Sequence, residues 1–354
     1  MSQIFRNFLQ KVGSGRHTSE ALTRGEAKQA ARMMLLQEAT PAQIGAFMIA
    51  HRIKRPTPEE LAGFLDAYDE MGPKLKPVDS GYLPLVFGLP YDGRDRTAPL
   101  QPLISLILSA MGCPVILHGG NRMPTKYGTP LIEIWHRLGI NWAGLQLTAL
   151  QEIFRRTKQG FIYLPDHFAD AQALVPYRDQ IGKRPPLSTI ELMWCPYEGA
   201  CKVIVGYVHP PTEELAKRTL TLTNISTFTT VKGLEGSSDL PCARAAIIGS
   251  YSFSSELCRQ ERLLLHARNY NLGDQTEAAF HTLESYMKQL KNTINGDSTP
   301  LSRAAIWNSG FYLWHSGIVT SLDEGIEKSR NLLSSGQALK HLSFLAEEVK
   351  KYAA

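Results

Sequence analysis

The sequence predicts an α/β fold in two parts: a discontinuous N-terminal helical bundle domain, and a larger α/β domain with a mostly parallel central sheet. Three observations carry this. Residues 1–75 hold apolar stripes at helical spacing, most of them opened by a capping signal. From residue 85 onward, short apolar runs alternate with stretches of helical periodicity, the pattern of a buried parallel sheet. A helical stretch at 169–190 then interrupts that alternation, and its natural place is back against the first bundle.

In residues 23–38, Ala27, Ala30, Ala31, Met34 and Leu35 recur at helical spacing and give one apolar face. Thr40-Pro41 opens the next helix, with Thr40 as N-cap and Pro41 as first helical residue. Its expected stripe is Ile44, Phe47, Met48 and Ile53. Thr57-Pro58-Glu59-Glu60 opens a third helix, with Glu60 placed for a capping box, and Gly72-Pro73 ends it. Residues 74–84 read as a linker. The expected strands are the apolar runs at 85–89, 114–117, 161–164, 203–208, 228–231 and 245–248. Helical patterns return at 274–294 and 322–352. The expected domains are therefore 1–78 with about 169–192, and 79–168 with about 193–354.

The chain has 354 residues, 43% hydrophobic and 20% charged, which is globular composition with material for a large core. No apolar run reaches the ~20 residues of a membrane span, and MSQIFRNFLQKVGSGR has no signal-peptide core. The expectation is a cytoplasmic protein. Cys113, Cys195, Cys201, Cys242 and Cys258 form no C-x-x-C pair, so reduced thiols are expected and not a zinc site. A net charge of +5 suits an anionic ligand such as phosphate, pyrophosphate or nucleic acid, and equally a solvated basic surface. There is no Walker loop, Rossmann glycine fingerprint or Gly-x-Ser-x-Gly elbow.

Residues 25–64, GEAKQAARMMLLQEATPAQIGAFMIAHRIKRPTPEELAGF, resemble the N-terminal helical segment of the anthranilate phosphoribosyltransferase family, which is related to the pyrimidine nucleoside phosphorylases. The resemblance implies phosphoribosyl pyrophosphate as ligand, a cleft between the two domains as its site, Mg²⁺ as cofactor and a homodimer. The family carries a glycine-rich Gly-Thr-Gly-Gly-Asp turn whose backbone N–H groups approach pyrophosphate. The matching stretch here is Gly88-Leu89-Pro90-Tyr91-Asp92-Gly93. Gly88 and Asp92 are retained, while Pro90 removes a donor and Tyr91 adds bulk. Arg94 and Arg96 follow and offer side-chain charge instead. Thr97 is what remains of the family's Asn-x-Ser-Thr motif. Asn224-Ile225-Ser226-Thr227 spells that motif but lies far downstream.

Residues 113–128, CPVILHGGNRMPTKYG, resemble the family's second phosphate loop. Gly119, Gly120, Asn121, Arg122, Lys126 and Gly128 match in type, and His118 stands where the family has lysine. For the acceptor, the resemblance picks out His167, Arg178 and Arg184. Arg178 would contact an acceptor carboxylate through a guanidinium fork. The family's adjacent Asp-Glu pair, which holds Mg²⁺, is missing from the matching run at 231–241. Glu235 and Asp239 are the nearby carboxylates and so the metal candidates, and their separation in the chain argues against the family's metal site.

Two readings stay open. One is an enzyme that transfers ribose 5-phosphate to an aromatic amine or base. The other is a non-catalytic, nucleic-acid-binding homodimer, with Lys54, Arg55, Arg155, Arg156, Lys158, Lys183 and Arg184 on phosphates and Tyr127 stacking on bases.

Overall fold

The computed structural model describes residues 3–15, 17–253 and 258–352, and of Cys258 only the backbone. Four helices come first: α1 (Gln3–Gly13), α2 (Arg24–Leu35), α3 (Pro41–Lys54) and α4 (Pro58–Met71). Local chemistry starts the last three. Thr23, Thr40 and Thr57 each accept from a backbone N–H three residues on, and Glu26, Gln43 and Glu60 return the bond to the cap. Ile44, Phe47 and Met48 are buried as the stripe predicts. Ile53 is not: it is 70% exposed, and His51 takes the buried place in the last turn of α3.

Glu60 does more than cap. Its side chain is fully buried and accepts from Leu22 N at 2.9 Å, Thr57 N at 2.7 Å and Lys54 Nζ at 2.8 Å. Burial works against its charge, but His51, Lys54 and the Thr57 amide outweigh it and pull its carboxyl down to about 2. The folded pKa lies below the unfolded one. The stabilisation is therefore complete above the ordinary carboxylate pKa of about 4.3 and is lost as pH falls towards the folded value. Glu60→Ala is expected to lose about 3–5 kcal/mol at pH 7, because it strands Lys54 and two buried amides. Urea midpoints at pH 7 and near pH 2.5 check this: the gap between wild type and variant should narrow at the lower pH.

The second part holds β1 (Leu85–Gly88), α5 (Gln101–Ala110), β2 (Val115–Gly119), α6 (Leu131–Arg137), α7 (Leu147–Thr157) and β3 (Gln159–Tyr163). Four short helices follow: α8 (Leu164–His167), α9 (Ala169–Gln172), α10 (Val175–Gln180) and α11 (Leu187–Ile190). The sheet then resumes with β4 (Lys202–Tyr207), α12 (Pro210–Thr221), β5 (Thr227–Lys232), β6 (Ala246–Phe253) and β7 (Cys258–Leu265). The chain closes with α13 (Leu283–Ile294), α14 (Pro300–His315), α15 (Leu322–Ser334) and α16 (Gln337–Lys350). α10 packs on α3 and α11 on α4, so the stretch at 169–190 does return to the first helices.

The sheet order is β3-β2-β1-β4-β5-β6-β7. β3 through β5 run parallel, while β6 and β7 form an antiparallel edge. β7, CRQERLLL, does not read as a strand, because Arg259, Glu261 and Arg262 leave it only a short apolar end, as charge does on an edge strand. The helical pattern expected from 274 begins only at Leu283, and the one over 322–352 breaks at Gly336 (φ 72°). β1 lies between β2 and β4, so the order in which the chain fills the sheet reverses between β1 and β4. Ligands bind at such switch points, beyond the carboxyl ends of the strands. Among the described residues, no helix is long and apolar enough to cross a membrane. Cys113, Cys195, Cys201 and Cys242 are free thiols, and the Cys258 side chain lies outside the described residues.

Candidate functional site

The loops that leave β1, β2, β4 and β5 meet at the carboxyl edge of the sheet. The β1 loop turns inward. A Cβ on Gly88 would sit 1.9 Å from the carbonyl oxygen of Leu192, so glycine is needed there for close backbone packing. Tyr91 is buried, and its hydroxyl bonds to Nδ1 of His118. Burial pushes the imidazole of His118 down to about 3, so it is neutral. The ring of His118 rests edge-on against Trp194, 5.2 Å between centroids. An uncharged aromatic plug thus occupies the base of this loop.

The β1 and β2 loops are zipped together. Gly93 has φ 77°, and a Cβ on it would come within 2.5 Å of the carbonyl carbon of Gly128. Gly128 N donates to Asp92 O at 2.9 Å, and Arg94 pairs with Thr129 as an antiparallel bridge.

Each cationic site candidate except the exposed Arg96 has its own carboxylate partner. Arg94, 4% exposed, bonds to Asp239, Thr97 and Ser237. Arg122 makes a two-pronged bond to Glu133 at 2.6 and 2.7 Å. Lys126 lies 3.0 Å from Glu235. Arg178 lies 2.7 Å from Glu191, and Arg184 holds Asp92. Thr97 gives Glu235 both its amide and its hydroxyl at 2.8 Å. Burial works against the charge of Glu235, but Lys126 and Thr97 hold its carboxyl well below the usual range. Arg96 reaches Glu235 only at 3.6 Å.

Arg94, Thr97, Lys126, Glu235 and Asp239 therefore form one network, with Gly93 at its seam and the Asp92 carboxylate turned to Arg184. Arg178 and Arg184 lie next to it, in the cleft described below. Asn121 and Arg122 stand outside: Asn121 accepts from the Tyr163 hydroxyl at 2.7 Å. Gly119 ends β2, and Gly120 packs near Gln172 and Met123. His167 points elsewhere, accepting from Tyr163 N at 3.0 Å and donating to Leu145 O at 2.9 Å. Of the cations offered for nucleic acid, Arg155 pairs with Glu152, Arg156 with Glu348 and Lys54 with Glu60. Tyr127 bonds to Asp179.

An open cleft of about 610 Å³ lies at the switch point. Arg52, Arg55, Arg178 and Arg184 line its bundle side, and Gly206 to His209 its sheet side. Arg52 and Arg55 are exposed, and neither has an ion-pair partner among the described residues. The N-terminus of α12 opens beside them at Pro210, adding its dipole.

Residues 6–72 match the model of the glycosyl transferase family, helical bundle domain, and residues 95–339 match that of the glycosyl transferase family, a/b domain. The chain belongs to this glycosyl transferase family. Among similar proteins, the anthranilate phosphoribosyltransferase of Paracidovorax citrulli is 23% identical over 325 residues, covering 91% of this chain and 92% of that one. The one from Acetivibrio thermocellus is 24% identical over 346 residues, covering 97% and 96%. The Saccharomyces cerevisiae anthranilate phosphoribosyltransferase in complex with PRPP and Mg superposes with a TM-score of 0.84 at 16% identity, over 99% of each chain. The anthranilate phosphoribosyltransferase of Thermus thermophilus gives 0.77 at 18% identity, over 99% of this chain and 100% of that one.

For the Mg held with PRPP in the yeast relative's complex, the donor set here does not fit. The carboxylates of Glu235 and Asp239 are both turned to Arg94, and Lys126 adds a second cation to Glu235, so protein cations already fill the place beside them. Among the described residues, no group of three or more His, Cys, Asp or Glu could hold a metal ion. Sequence reasoning missed Glu191 and the part played by Arg52. For Glu191 a signal existed: it is the one charged residue in the stretch 186–197. For Arg52 there was none, because only the cleft distinguishes it from any surface arginine.

Proposed function

We propose that this chain binds a phosphoribosyl-type anion in the cleft between the helical bundle and the sheet, as an anthranilate phosphoribosyltransferase-like protein. The observation that carries this is the unpaired Arg52 and Arg55 at the mouth of the switch-point cleft. Family membership and the ligand of the yeast relative, PRPP with Mg, support it. In this reading the helical part is 1–78 with about 169–192, the α/β part is 79–168 with about 193–354, and the cleft divides them. The phosphates lie against Arg52, Arg55 and the first turn of α12, at the cleft mouth, because Tyr91 and His118 fill the glycine-loop position. Ribosyl transfer passes through a cationic, oxocarbenium-like state, so the protein's contribution is positioning and preorganised charge.

Isothermal titration with phosphoribosyl pyrophosphate, with and without Mg²⁺ at fixed salt, tests the reading. The expected result is micromolar binding that survives chelation of Mg²⁺ and weakens about tenfold or more in Arg52→Ala/Arg55→Ala, which removes two charge-assisted contacts. No binding under either condition would overturn it. Binding of single-stranded or duplex DNA by the same sample, falling steeply with salt, would favour the nucleic-acid reading instead.

A further inference from the structure

Two thiols six positions apart in the chain meet in the structure: Cys195 Sγ and Cys201 Sγ lie 3.2 Å from each other. That is sulfur–sulfur contact, within about 1 Å of the covalent distance. Among the described residues, no other two thiols touch. Cys195 is half-buried and Cys201 is buried, and both line a cavity of about 310 Å³ with Asp69, Trp194 and Tyr197. Among the described residues, no third ligand joins them to hold a metal ion. The chemistry open to two touching thiols is disulfide exchange.

The pair sits where the chain crosses between helices and sheet. Residues 72–84 lead from α4 to β1, and residues 191–201 lead from α11 to β4. The two crossings are bonded side by side. Leu75 N donates to Pro196 O at 3.0 Å, and Glu198 N donates to Leu75 O at 2.8 Å. Leu75 and Tyr197 pair as a parallel bridge, and Val78 N donates to the Tyr197 hydroxyl at 3.4 Å. Pro196, Tyr197 and Glu198 all lie between the two cysteines. A bond from Cys195 to Cys201 would therefore close the loop that grips the first crossing, and would hold both connections at once. Closing a loop also removes conformations from the unfolded chain, which stabilises the folded one.

We propose that Cys195 and Cys201 are a reversible redox modification site, oxidised by a low-molecular-weight disulfide, and that the bond they form staples the two crossings together. One cysteine thiolate attacks a sulfur of the oxidant, and the other half of the oxidant leaves as a thiolate. The second cysteine then attacks the protein sulfur of this mixed disulfide and expels the remaining half. The protein gives up two electrons and two protons, and the oxidant departs as two thiols. Excess small thiol runs the exchange backwards. Contact with Cys201, burial and the Asp69 carboxylate push the Cys195 thiol well up, against the hydrogen bond from the Tyr197 backbone, so the exchange is slow at neutral pH. None of this depends on the phosphoribosyl reading.

The test treats the full chain with 2-hydroxyethyl disulfide at about pH 8.5, where thiolate is more plentiful, then alkylates and maps the peptides. The expected product is a Cys195–Cys201 link with no mercaptoethanol retained, and dithiothreitol should restore both thiols. The oxidised protein should melt about 2 °C or more above the reduced one. Cys201→Ser should show neither the link nor the rise. A wild type that keeps both thiols, stops at the mixed disulfide or joins either cysteine to a different one overturns the proposal. A Cys195–Cys201 link that leaves the melting temperature unchanged overturns it too, as does an equal rise in Cys201→Ser. If Cys201→Ser does not fold, the wild-type map and melting temperatures decide.

Discussion

Gly88→Ala is expected to cost at least about 3 kcal/mol and to leave the chain largely unfolded at 37 °C. The added Cβ would stand 1.9 Å from Leu192 O, 2.5 Å from Leu192 C and 2.8 Å from Leu192 Cα. All three are backbone atoms, so no side-chain rotation relieves the clash. Gly88 is held on its other side in register with Val205 of β4, and the strand is buried throughout. Relief therefore means moving the sheet or the 188–196 segment, and close-packed interiors resist such shifts. The urea midpoint is the measurement. A Gly88→Ala protein of normal stability that has lost only phosphoribosyl pyrophosphate binding would return Gly88 to the phosphate-contacting role its motif suggests.

Removing Asp239 should be comparably severe. Its carboxylate is fully buried and accepts from Arg94, from the Gln101 amide and from Leu100 N at 3.2 Å. Asp239→Ala leaves the Arg94 guanidinium buried with its nearest carboxylate, Glu235, at 3.9 Å. Stranding a buried charge costs about 3–5 kcal/mol, far more than the pair is worth against apolar replacements. The double variant Arg94→Met/Asp239→Ala should therefore recover at least half of the loss, a strong coupling in a double-mutant cycle. Additive losses would mean the two residues act separately. A stable Asp239→Ala protein that loses only Mg²⁺-dependent ligand binding would instead make Asp239 a metal ligand.

Both cases show where the reading of the chain reached its limit. The residues of the two loops were legible as motif remnants, down to the substitution of Pro90 and Tyr91 for glycines. Their state was not. Arg94 and Asp239 are 145 positions apart, and Lys126 and Glu235 are 109 apart. An arginine that binds a ligand and one that is neutralised by a distant carboxylate look the same in one dimension. Glu191 was passed over for the same reason: its meaning comes from Arg178, thirteen positions away across a turn of short helices.

The sequence by itself determined the helix starts at Thr40 and Thr57, the alternation of strands and helices, and the return of the 169–190 stretch. Caps and periodicities act within a few residues or a single element, so the chain carries them openly. Only the tertiary structure decided which cations remain free. It places Arg52 and Arg55 at a cleft mouth with no ion-pair partner among the described residues, while Arg94, Arg122, Lys126, Arg178 and Arg184 are each matched by a carboxylate. Electrostatic pairing depends on separation in space and on burial, and neither quantity exists until the β1 and β2 loops close on the turn after β5.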